Sequence, residues 1–350
     1  MRNRLNKVII TALIGVAAAG TAGAQDMHFS QYYNTPMLVN PANTALMSDN
    51  DYRLGANYRT QWTAVPVPYK TFSAYADFQA FKGQNTTNWL GVGIAFYNDV
   101  AGDGNLTLTR GDLTLAYHVQ TSDVFMISAG LQGGYATRTI DYNKLYFGMQ
   151  WDGFKFNQSF ASGENNINVI KTQFFDVGAG INFSYFPSEL AFVKVGVGFA
   201  HINQPKETFY ESGINELGIR PTVNMDGTFV MDDIFTLNPS IYYSMDKGAS
   251  ELVFGTLVQG KFTQRGNNYG EHKGEGSLIA GLHYRYKESL IGSIGLQWND
   301  LRIMASYDYA MSSLGQNIKA YGGMEFGLVF MGRYGEHSRG AKNMNCPRFY

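Results

Sequence analysis

The chain has 350 residues with 27 basic and 28 acidic side chains, a formal net charge of −1 at pH 7 and a single cysteine. This balance does not suggest nucleic acid as a partner, and one cysteine cannot form an internal disulfide. Charged residues make up only 16% of the chain, against roughly 25% in ordinary soluble domains. The composition therefore indicates a surface that largely avoids water.

The first 24 residues have the features of a secretory signal peptide. Arg2, Arg4 and Lys7 form a basic start, residues 8–19 are an apolar run, and small residues occupy 22–24. This order of basic, apolar and small residues is typical of Sec export signals. We therefore predict that residues 1–24 are cleaved from the mature protein.

Residues 25–50 have little charge, several aromatic side chains, Pro36 and Pro41, and no sustained period. Such a segment fits either a plug inside a barrel lumen or a short disordered leader. Its apolar content favours the plug, because disordered segments are usually poor in apolar residues.

From residue 53 onwards the sequence alternates with the period of a β-strand. In the first run Arg53, Asn57 and Arg59 share one face, while Leu54 and Tyr58 share the other. Similar runs recur along the chain, with charges on the polar faces and aromatics on the apolar faces. After the signal no apolar run approaches the roughly 20 residues of a transmembrane helix, so a membrane protein with this sequence must be a barrel.

Counting these runs between turn signals gives about fourteen strands, each about ten or more residues long as a tilted membrane-spanning strand requires. They lie at 52–62, 68–81, 88–98, 104–120, 123–138, 172–187, 190–201, 219–230, 233–246, 249–262, 276–287, 289–298, 301–311 and 319–331. The predicted fold is all-β: a transmembrane antiparallel β-barrel of about 14 strands over residues 51–331, with the N-terminal segment as a plug in its lumen. An even strand count is typical of bacterial single-chain barrels.

The fourth run changes phase near Gly111. Leu106 and Leu108 give way there to Leu113 and Leu115, which lie on the opposite face of a regular strand. An extra residue in the strand would restore the alternation, so we expect a β-bulge.

Connection lengths give the predicted barrel an orientation, because such barrels have short periplasmic turns and longer outer loops. The links after the fourth, sixth, eighth and twelfth runs are tight, and the two longest loops, 139–171 and 202–218, follow odd-numbered runs. Both barrel termini then face the periplasm, with residues 332–350 as a periplasmic tail. The long link 263–275 does not fit this pattern, because it lies on the periplasmic side. It is either a periplasmic projection or a sign that the strand count is off by one.

Charged residues on the polar faces are predicted to point into the lumen, where an unpaired charge is costly. They are Arg53, Arg59, Asp77, Asp112, Asp176, Arg285, Arg302, Asp308 and Glu325. Two arrangements fit: a hydrated pore lined for selectivity, or a filled lumen in which these groups pair with one another or with the 25–50 segment. We favour the filled lumen because that segment is available as the filler. Arg59 and Asp77, on neighbouring runs, are a candidate pair.

A block of aromatic, amide and proline residues opens the mature chain and continues into the first two runs. It comprises Phe29, Ser30, Gln31, Tyr32, Tyr33, Pro36, Val39, Asn40, Pro41, Ala42, Tyr58, Arg59, Gln61, Trp62 and Thr71-Phe72-Ser73. Together with the stretch from His201 to Pro205 and the terminal Cys346-Pro347-Arg348, this block resembles the PorP/SprF family. That family comprises outer-membrane proteins of the type IX secretion system of Bacteroidetes, and the resemblance runs through most of the mature chain.

The resemblance implies specific contacts between the plug and the wall of the barrel. The motif positions that we expect to form them are Phe29, Ser30, Gln31, Tyr32, Asn40, Pro41, Ala42, Arg59, Gln61 and Trp62. No catalytic residue follows from the resemblance, because the family is not known as enzymatic.

The function implied by the resemblance is a non-enzymatic barrel in the outer membrane. Its expected partners are membrane lipid, type IX secretion components and exported adhesin-like proteins, whose secretion or surface attachment it supports, as in gliding motility. Alternation alone also fits a porin for small solutes. A third class, an outer-membrane hydrolase, would need a nucleophile, a base and an orienting group brought together in space.

Metal or cofactor chemistry has little support in the sequence. The histidines are scattered, with no pair at ligand spacing: His28, His118, His201, His272, His283 and His337. We therefore predict no metal, no cofactor and no small-molecule substrate.

Overall fold

The computed structural model describes residues 27–47, 50–62, 68–81, 88–102, 104–163, 170–209, 215–263, 275–311 and 321–334. Within these residues fourteen antiparallel strands form a closed sheet. They are β1 (Tyr52–Gln61), β2 (Tyr69–Ala80), β3 (Trp89–Ala101), β4 (Leu106–Ser122), β5 (Phe125–Ile140), β6 (Ile170–Ser188), β7 (Ala191–Ala200), β8 (Arg220–Val230), β9 (Phe235–Asp246), β10 (Ala249–Thr263), β11 (Glu275–Arg285), β12 (Ser289–Trp298), β13 (Leu301–Ala310) and β14 (Tyr321–Gly332). The predicted signal peptide, nearly all of the predicted tail with its Cys346 stretch, and the centre of the 263–275 link lie outside the described residues.

Pairing between the first and last strands closes the barrel. β1 pairs along its whole length with β2 on one side and with β14 on the other, and every other strand pairs with its sequence neighbours. The fold class predicted from the sequence is therefore confirmed. Because β10 pairs directly with β11, the 263–275 link joins neighbouring strands and the strand count is not off by one.

The two ends of the barrel differ in their connections. Short turns join β4 to β5, β6 to β7, β8 to β9 and β12 to β13 at the end where β1 begins, which we call the turn end. The longer connections from β5 to β6 and from β7 to β8 lie at the opposite end, the loop end. β6 has 19 residues, and its first part, Ile170–Gly178, pairs with β5 but not with β7. β5 and β6 therefore extend the wall toward the loop end.

Apolar side chains cover the outer face of the barrel, and polar side chains point inward. On β5, for example, Leu131 is 66% exposed while its neighbour Gln132 is 6% exposed. Aromatic pairs bound this apolar face: the rings of Phe125 and Tyr185 lie 4.8 Å apart near the turn end, and the Tyr135 ring packs on β6 toward the loop end. Ten residues of tilted strand between these rings span about 25 Å, the height of the apolar band of an outer-membrane barrel.

The prediction of a β-bulge at Gly111 is wrong. β4 keeps an uninterrupted register with β3 and β5 across this residue. Leu108 points inward and packs in an apolar cluster of the lumen, whereas Leu113 and Leu115 point outward. The apparent change of phase arises because part of the lumen is itself apolar, so one strand carries leucines on both faces.

Helical structure in the described residues is limited to single turns. They are Tyr32–Asn34, Pro36–Val39 and Pro41–Asn43 near the N-terminus, and Tyr142–Lys144 and Gly148–Gln150 after β5. No described helix is both long enough and apolar enough to cross a membrane.

Residues 27–47, which we call the lumen segment, run through the inside of the barrel. Near the loop end, Phe29 packs in a cluster with Tyr97 and Leu108. Near the turn end, Leu46 packs with Phe186 and others. Every residue of the segment is buried or half-buried, so the segment traverses the lumen from the loop end to the turn end before β1 begins.

Because Leu131 lies near the middle of the apolar band, Leu131→Arg should destabilise the barrel in lipid by about 2–4 kcal/mol. Gln173→Arg is the matched control: Gln173 also points outward but lies beyond the aromatic ring of Phe175, where the same substitution should cost about 0–1 kcal/mol. Urea titration of folding into phospholipid vesicles, followed by gel mobility, gives both values. Equal costs for the two variants would contradict the assigned membrane band.

Candidate functional site: the lumen segment and its wall

The lumen segment is an irregular chain with its own local order. Proline occupies the first position of the helical turns Pro36–Val39 and Pro41–Asn43, where its missing N–H and fixed φ suit a helix start. Asn40 caps the second turn by accepting a hydrogen bond from the backbone N–H of Ala42 at 2.9 Å. Single turns leave many backbone groups without an internal partner, so the wall must supply the remaining bonds.

Ser30 lies in a buried ionic cluster near the loop end. Its hydroxyl donates to Asp308 Oδ2 at 2.6 Å and accepts from the guanidinium groups of Arg59 and Arg285. Arg59 Nη2 and Arg285 Nη1 lie 2.9 and 3.0 Å from the same carboxylate oxygen. Each buried charge has lost its water, so the close opposite charges and the serine hydroxyl offset that cost.

Glu325 on β14 binds the backbone of the lumen segment. Its Oε2 accepts from the backbone N–H of Ser30 at 2.7 Å, and its Oε1 from that of Gln31 at 3.2 Å. The Gln31 side chain donates to the Glu325 carbonyl and to Ser306 Oγ, both at 3.1 Å. Asn57 on β1 also donates to Glu325 Oε1, at 3.2 Å. One carboxylate thus joins the segment to the two strands that close the barrel.

The candidate pair Arg59–Asp77 is wrong. Arg53, not Arg59, pairs with Asp77, with Nε–Oδ1 and Nη2–Oδ2 distances of 3.0 and 2.6 Å. Register explains the difference, because Arg53 lies opposite Asp77 across β1 and β2 whereas Arg59 lies opposite Thr71. Asp77 also accepts the backbone N–H of Ala45 at 2.6 Å, so this pair too binds the lumen segment.

In the middle of the lumen the partners are amides and hydroxyls. Asn40 Nδ2 donates to Asn182 Oδ1 and Asn224 Oδ1, at 3.0 and 3.2 Å. Thr222 Oγ1 donates to the Val39 carbonyl at 2.7 Å. These bonds tie the helical turns of the segment to β6 and β8.

Toward the turn end, side chains of the wall donate hydrogen bonds to three backbone carbonyls of the segment, those of Thr44, Ala45 and Met47. The bonds run from His118 Nε2 to Thr44 O (2.8 Å), from Trp89 Nε1 to Ala45 O (3.0 Å) and from Gln79 Nε2 to Met47 O (2.5 Å). The Trp89 ring also stacks on His118, with centroids 4.8 Å apart. The segment is therefore fixed at both of its ends and in its middle.

Inward-facing glycines let the segment approach the wall. A Cβ atom at Gly130 would lie 2.6 Å from the Pro41 carbonyl oxygen, whereas one at Gly133, which faces outward on the same strand, would meet no atom within 4 Å. The other glycines whose Cβ would collide with the segment are Gly91, Gly93, Gly180, Gly196 and Gly327. The wall therefore has space for backbone where most strands would carry a side chain.

A family model described as the type IX secretion system membrane protein PorP/SprF matches residues 21–330. The chain belongs to the PorP/SprF family. The recognition from sequence motifs is thereby confirmed, and no curated protein matches the chain in sequence.

Several solved structures of very different sequence are similar to this PorP/SprF protein. The CymD monoaromatic hydrocarbon channel is 12% identical with a TM-score of 0.50, over 91% of this chain and 96% of that one. The toluene transporter TodX of Pseudomonas putida is 9% identical with a TM-score of 0.48, over 90% and 95%. A FadL homologue of Pseudomonas aeruginosa is 10% identical with a TM-score of 0.43, over 85% and 93%. The likeness to CymD supports the barrel fold alone.

Most of the motif positions of this PorP/SprF protein lie in or against the lumen segment. Tyr32 donates to or accepts from Ser240 Oγ at 2.6 Å and stacks on Tyr242, and Pro41 and Ala42 lie against Gly130. Two positions differ. Gln61 ends β1, Trp62 packs on Tyr69 at 4.9 Å, and neither forms a hydrogen bond with the described residues of the segment.

The predicted lumen charges all lie on the inner face, but they divide into separate clusters. Asp112 and Asp176 join Arg110, whose Nε and Nη1 lie 2.7 and 2.8 Å from them, and His201 Nδ1 lies 2.8 Å from Asp176. Sequence reasoning missed Arg110, because a bulge at Gly111 would have turned it away from Asp112. The uninterrupted alternation of β4 is the signal that identifies it.

No group of three or more possible metal ligands occurs in the part of the chain that the structure describes. The buried carboxylates are instead engaged with arginines and with the lumen segment. Their arrangement can hold a peptide backbone in place inside a membrane barrel.

Gly130→Val should displace the lumen segment, because the added side chain would overlap Pro41 and Ala42. We expect measurable ion conductance in planar bilayers where the unaltered protein conducts little. Gly133→Val, on the same strand but facing outward, should leave the conductance unchanged. Identical traces from both variants would show that the segment does not obstruct the lumen.

Asp308→Asn should destabilise the barrel by about 1.5–3 kcal/mol, because Arg59 and Arg285 lose their common counterion and keep only Glu325, Glu251 and Glu288 as acidic partners. Asp300→Asn, in the exposed turn between β12 and β13, should change stability by no more than about 0.5 kcal/mol. Guanidinium unfolding in vesicles, followed by tryptophan fluorescence, measures both. A small effect of Asp308→Asn would mean that the cluster does not stabilise the closed barrel.

Proposed function

We propose that this protein is a non-enzymatic outer-membrane scaffold of the type IX secretion system, which supports the secretion or surface attachment of exported proteins through protein–protein contacts. The observation that carries the proposal is the filled lumen. In the described residues, a segment fixed by buried charges, amides and close glycine contacts occupies the lumen, so the surfaces outside the lumen become the parts that interact with partners. Adhesin-like exported proteins, as in gliding motility, are the proposed clients.

The proposed client surface is the connection after β5. Six large apolar side chains there are exposed in residues 141–163: Tyr146, Met149, Trp151, Phe154, Phe156 and Phe160. β5 and β6 extend past the aromatic rings of the membrane band, which favours contact of these side chains with protein rather than with lipid. Exposed apolar clusters of this kind are typical of protein-binding sites.

Part of this connection has a defined local structure. Trp151 and Phe156 form a β-bridge with their rings 5.0 Å apart. Between them, the Asp152 side chain accepts the backbone N–H groups of Phe154 and Lys155, both at 2.8 Å, and these bonds lower the pKa of the Asp152 carboxyl. The turn thus presents Phe154, which is 93% exposed, in an ordered setting, and an ordered anchor loses less entropy on binding.

The proposed orientation puts the turn end at the periplasm and the loop end at the cell surface. Short periplasmic turns and longer outer loops are usual for such barrels. The two longest connections, after β5 and β7, lie at the loop end and support this orientation, whereas the long 263–275 link lies at the turn end. Removal of residues 1–24 by Sec processing and a periplasmic location of residues 332–350 belong to the same proposal. A porin would instead need an open lumen, and a hydrolase would need a catalytic group that this proposal does not include.

The test is affinity purification of the tagged protein from the native outer membrane in mild detergent. We expect type IX components and an exported protein to co-purify. The double variant Trp151→Ser, Phe154→Ser should lower recovery of the exported protein by about tenfold or more, because buried aromatic anchors commonly contribute at least 2 kcal/mol.

Phe81→Ser is the matched control for this experiment, because Phe81 is 88% exposed but follows β2 at the turn end. It should leave recovery of the exported protein unchanged. A protein that purifies alone and conducts ions would overturn the scaffold proposal in favour of a channel. Equal losses for both variants would reject the loop as the client surface.

A further inference from the structure

The lumen is not completely filled near the turn end. A cavity of about 160 Å³ lies there between the lumen segment and the wall. Tyr33, Asn43 and Leu46 line it from the segment, and Phe192 and Ile279 line it from the wall. Its walls therefore combine apolar surface with hydrogen-bonding groups, as small-ligand sites usually do.

Three cationic side chains line this cavity, and two of them have an acidic partner. Arg53 pairs with Asp77 at 2.6 Å, and Lys194 Nζ lies 3.2 Å from Asp226 Oδ2. The third, Arg302, is 9% exposed. Its guanidinium donates from Nε and Nη2 to Gln297 Oε1, at 3.2 and 2.9 Å, and no carboxylate in the described residues pairs with it. Among the described residues, the lining of the cavity therefore carries one positive charge without a counterion.

A buried guanidinium without a counterion is unfavourable, so this site attracts an anion. One excess charge matches a carboxylate better than a phosphate, which carries close to two negative charges at neutral pH and has three acceptor oxygens. A guanidinium can also donate two parallel hydrogen bonds to a carboxylate. The apolar lining favours a carboxylate attached to an aliphatic or aromatic group.

The cavity can be reached from the turn end. Asp226 and Lys194 keep side-chain exposures of 28% and 15%, so solvent meets the cavity at these residues. On the opposite side Tyr33 and Val39 of the lumen segment form its limit. A group that enters from the turn end therefore reaches Arg302 and goes no further, which is the geometry of a binding site rather than of a transport path.

We propose that this cavity binds the carboxylate of a peptide chain that reaches the barrel from the turn end, with Arg302 as the residue that recognises the charge. The inference rests on the proposed function for the choice of a peptide as the carrier of the carboxylate. In that setting the site is a second docking point, on the periplasmic side, for a protein partner.

The probes are N-acetyl-glycyl-alanyl-leucine with a free carboxylate and the same peptide as its C-terminal amide. Isothermal titration with the full-length protein in detergent should give a dissociation constant about tenfold lower for the carboxylate, as expected for a charge-assisted hydrogen bond. Arg302→Gln should abolish this difference. Arg333→Gln, which removes an exposed arginine beyond β14 outside the cavity lining, should preserve it.

A second variant changes affinity in the opposite direction. Asp226→Asn removes the acidic partner of Lys194 and raises the positive charge of the cavity, so the carboxylate peptide should bind several-fold more tightly. Arg302→Gln removes an unpaired charge and should fold at least as well as the unaltered protein, which heat-dependent gel mobility checks. Loss of the difference between acid and amide in a correctly folded Arg302→Gln, together with tighter binding of the acid by Asp226→Asn, would support the proposal.

Three outcomes would overturn it. Equal affinity for the acid and the amide would show that Arg302 does not recognise a carboxylate. Acetate that competes as well as the peptide would reassign the site to small anions. Tighter peptide binding by a chain that ends at Tyr334 would identify residues 335–350 as the occupant. The purification test of the scaffold role does not depend on these results, so the two proposals fail separately.

Discussion

The structure depends on one constraint: a peptide backbone without regular secondary structure, enclosed in a barrel, must find hydrogen-bond partners on the wall. The lumen segment is such a backbone, with only single helical turns of its own. Glu325 accepts two of its N–H groups, Asp77 accepts a third, and His118, Trp89 and Gln79 donate to its carbonyls. The donors and acceptors on the inner face of the barrel are therefore arranged to match the backbone groups of the lumen segment.

The charged side chains of the wall also serve to bind the lumen segment. Arg59 and Arg285 on one side and Asp308 on the other would each be costly alone in this setting, and together they create a site for the hydroxyl of Ser30. The glycines provide the space, because a Cβ at Gly130 or Gly196 would occupy the place of the segment. An open pore lined for selectivity requires neither feature, so these contacts fit a filled lumen better than an open one.

Much of this arrangement could be predicted from the sequence, because alternation assigns each side chain to a face. Arg59, Asp308 and Glu325 were assignable to the lumen in this way. Alternation does not give the register between strands, and register decided that Asp77 pairs with Arg53. Alternation also gave a wrong prediction at β4, because Leu108 is apolar although it faces the lumen, and this looks in the sequence like a change of phase. The inward-facing residues of a plugged barrel complement the conformation of the plug. That conformation cannot be predicted from the alternation of a single sequence.

The position of Glu325 has a consequence for how the protein assembles. This residue lies on the last strand, directly opposite Arg59 on the first, and it binds both Ser30 and Gln31. The seam of the barrel is thus bridged from inside by residues that precede β1 in the chain. Pairing of the first strand with the last and docking of the N-terminal residues therefore stabilise each other and should occur cooperatively. Before its N-terminal residues dock, the sheet has only the pairing of β1 with β14 to join its two edges and lacks the additional bonds from Ser30 and Gln31 to Glu325.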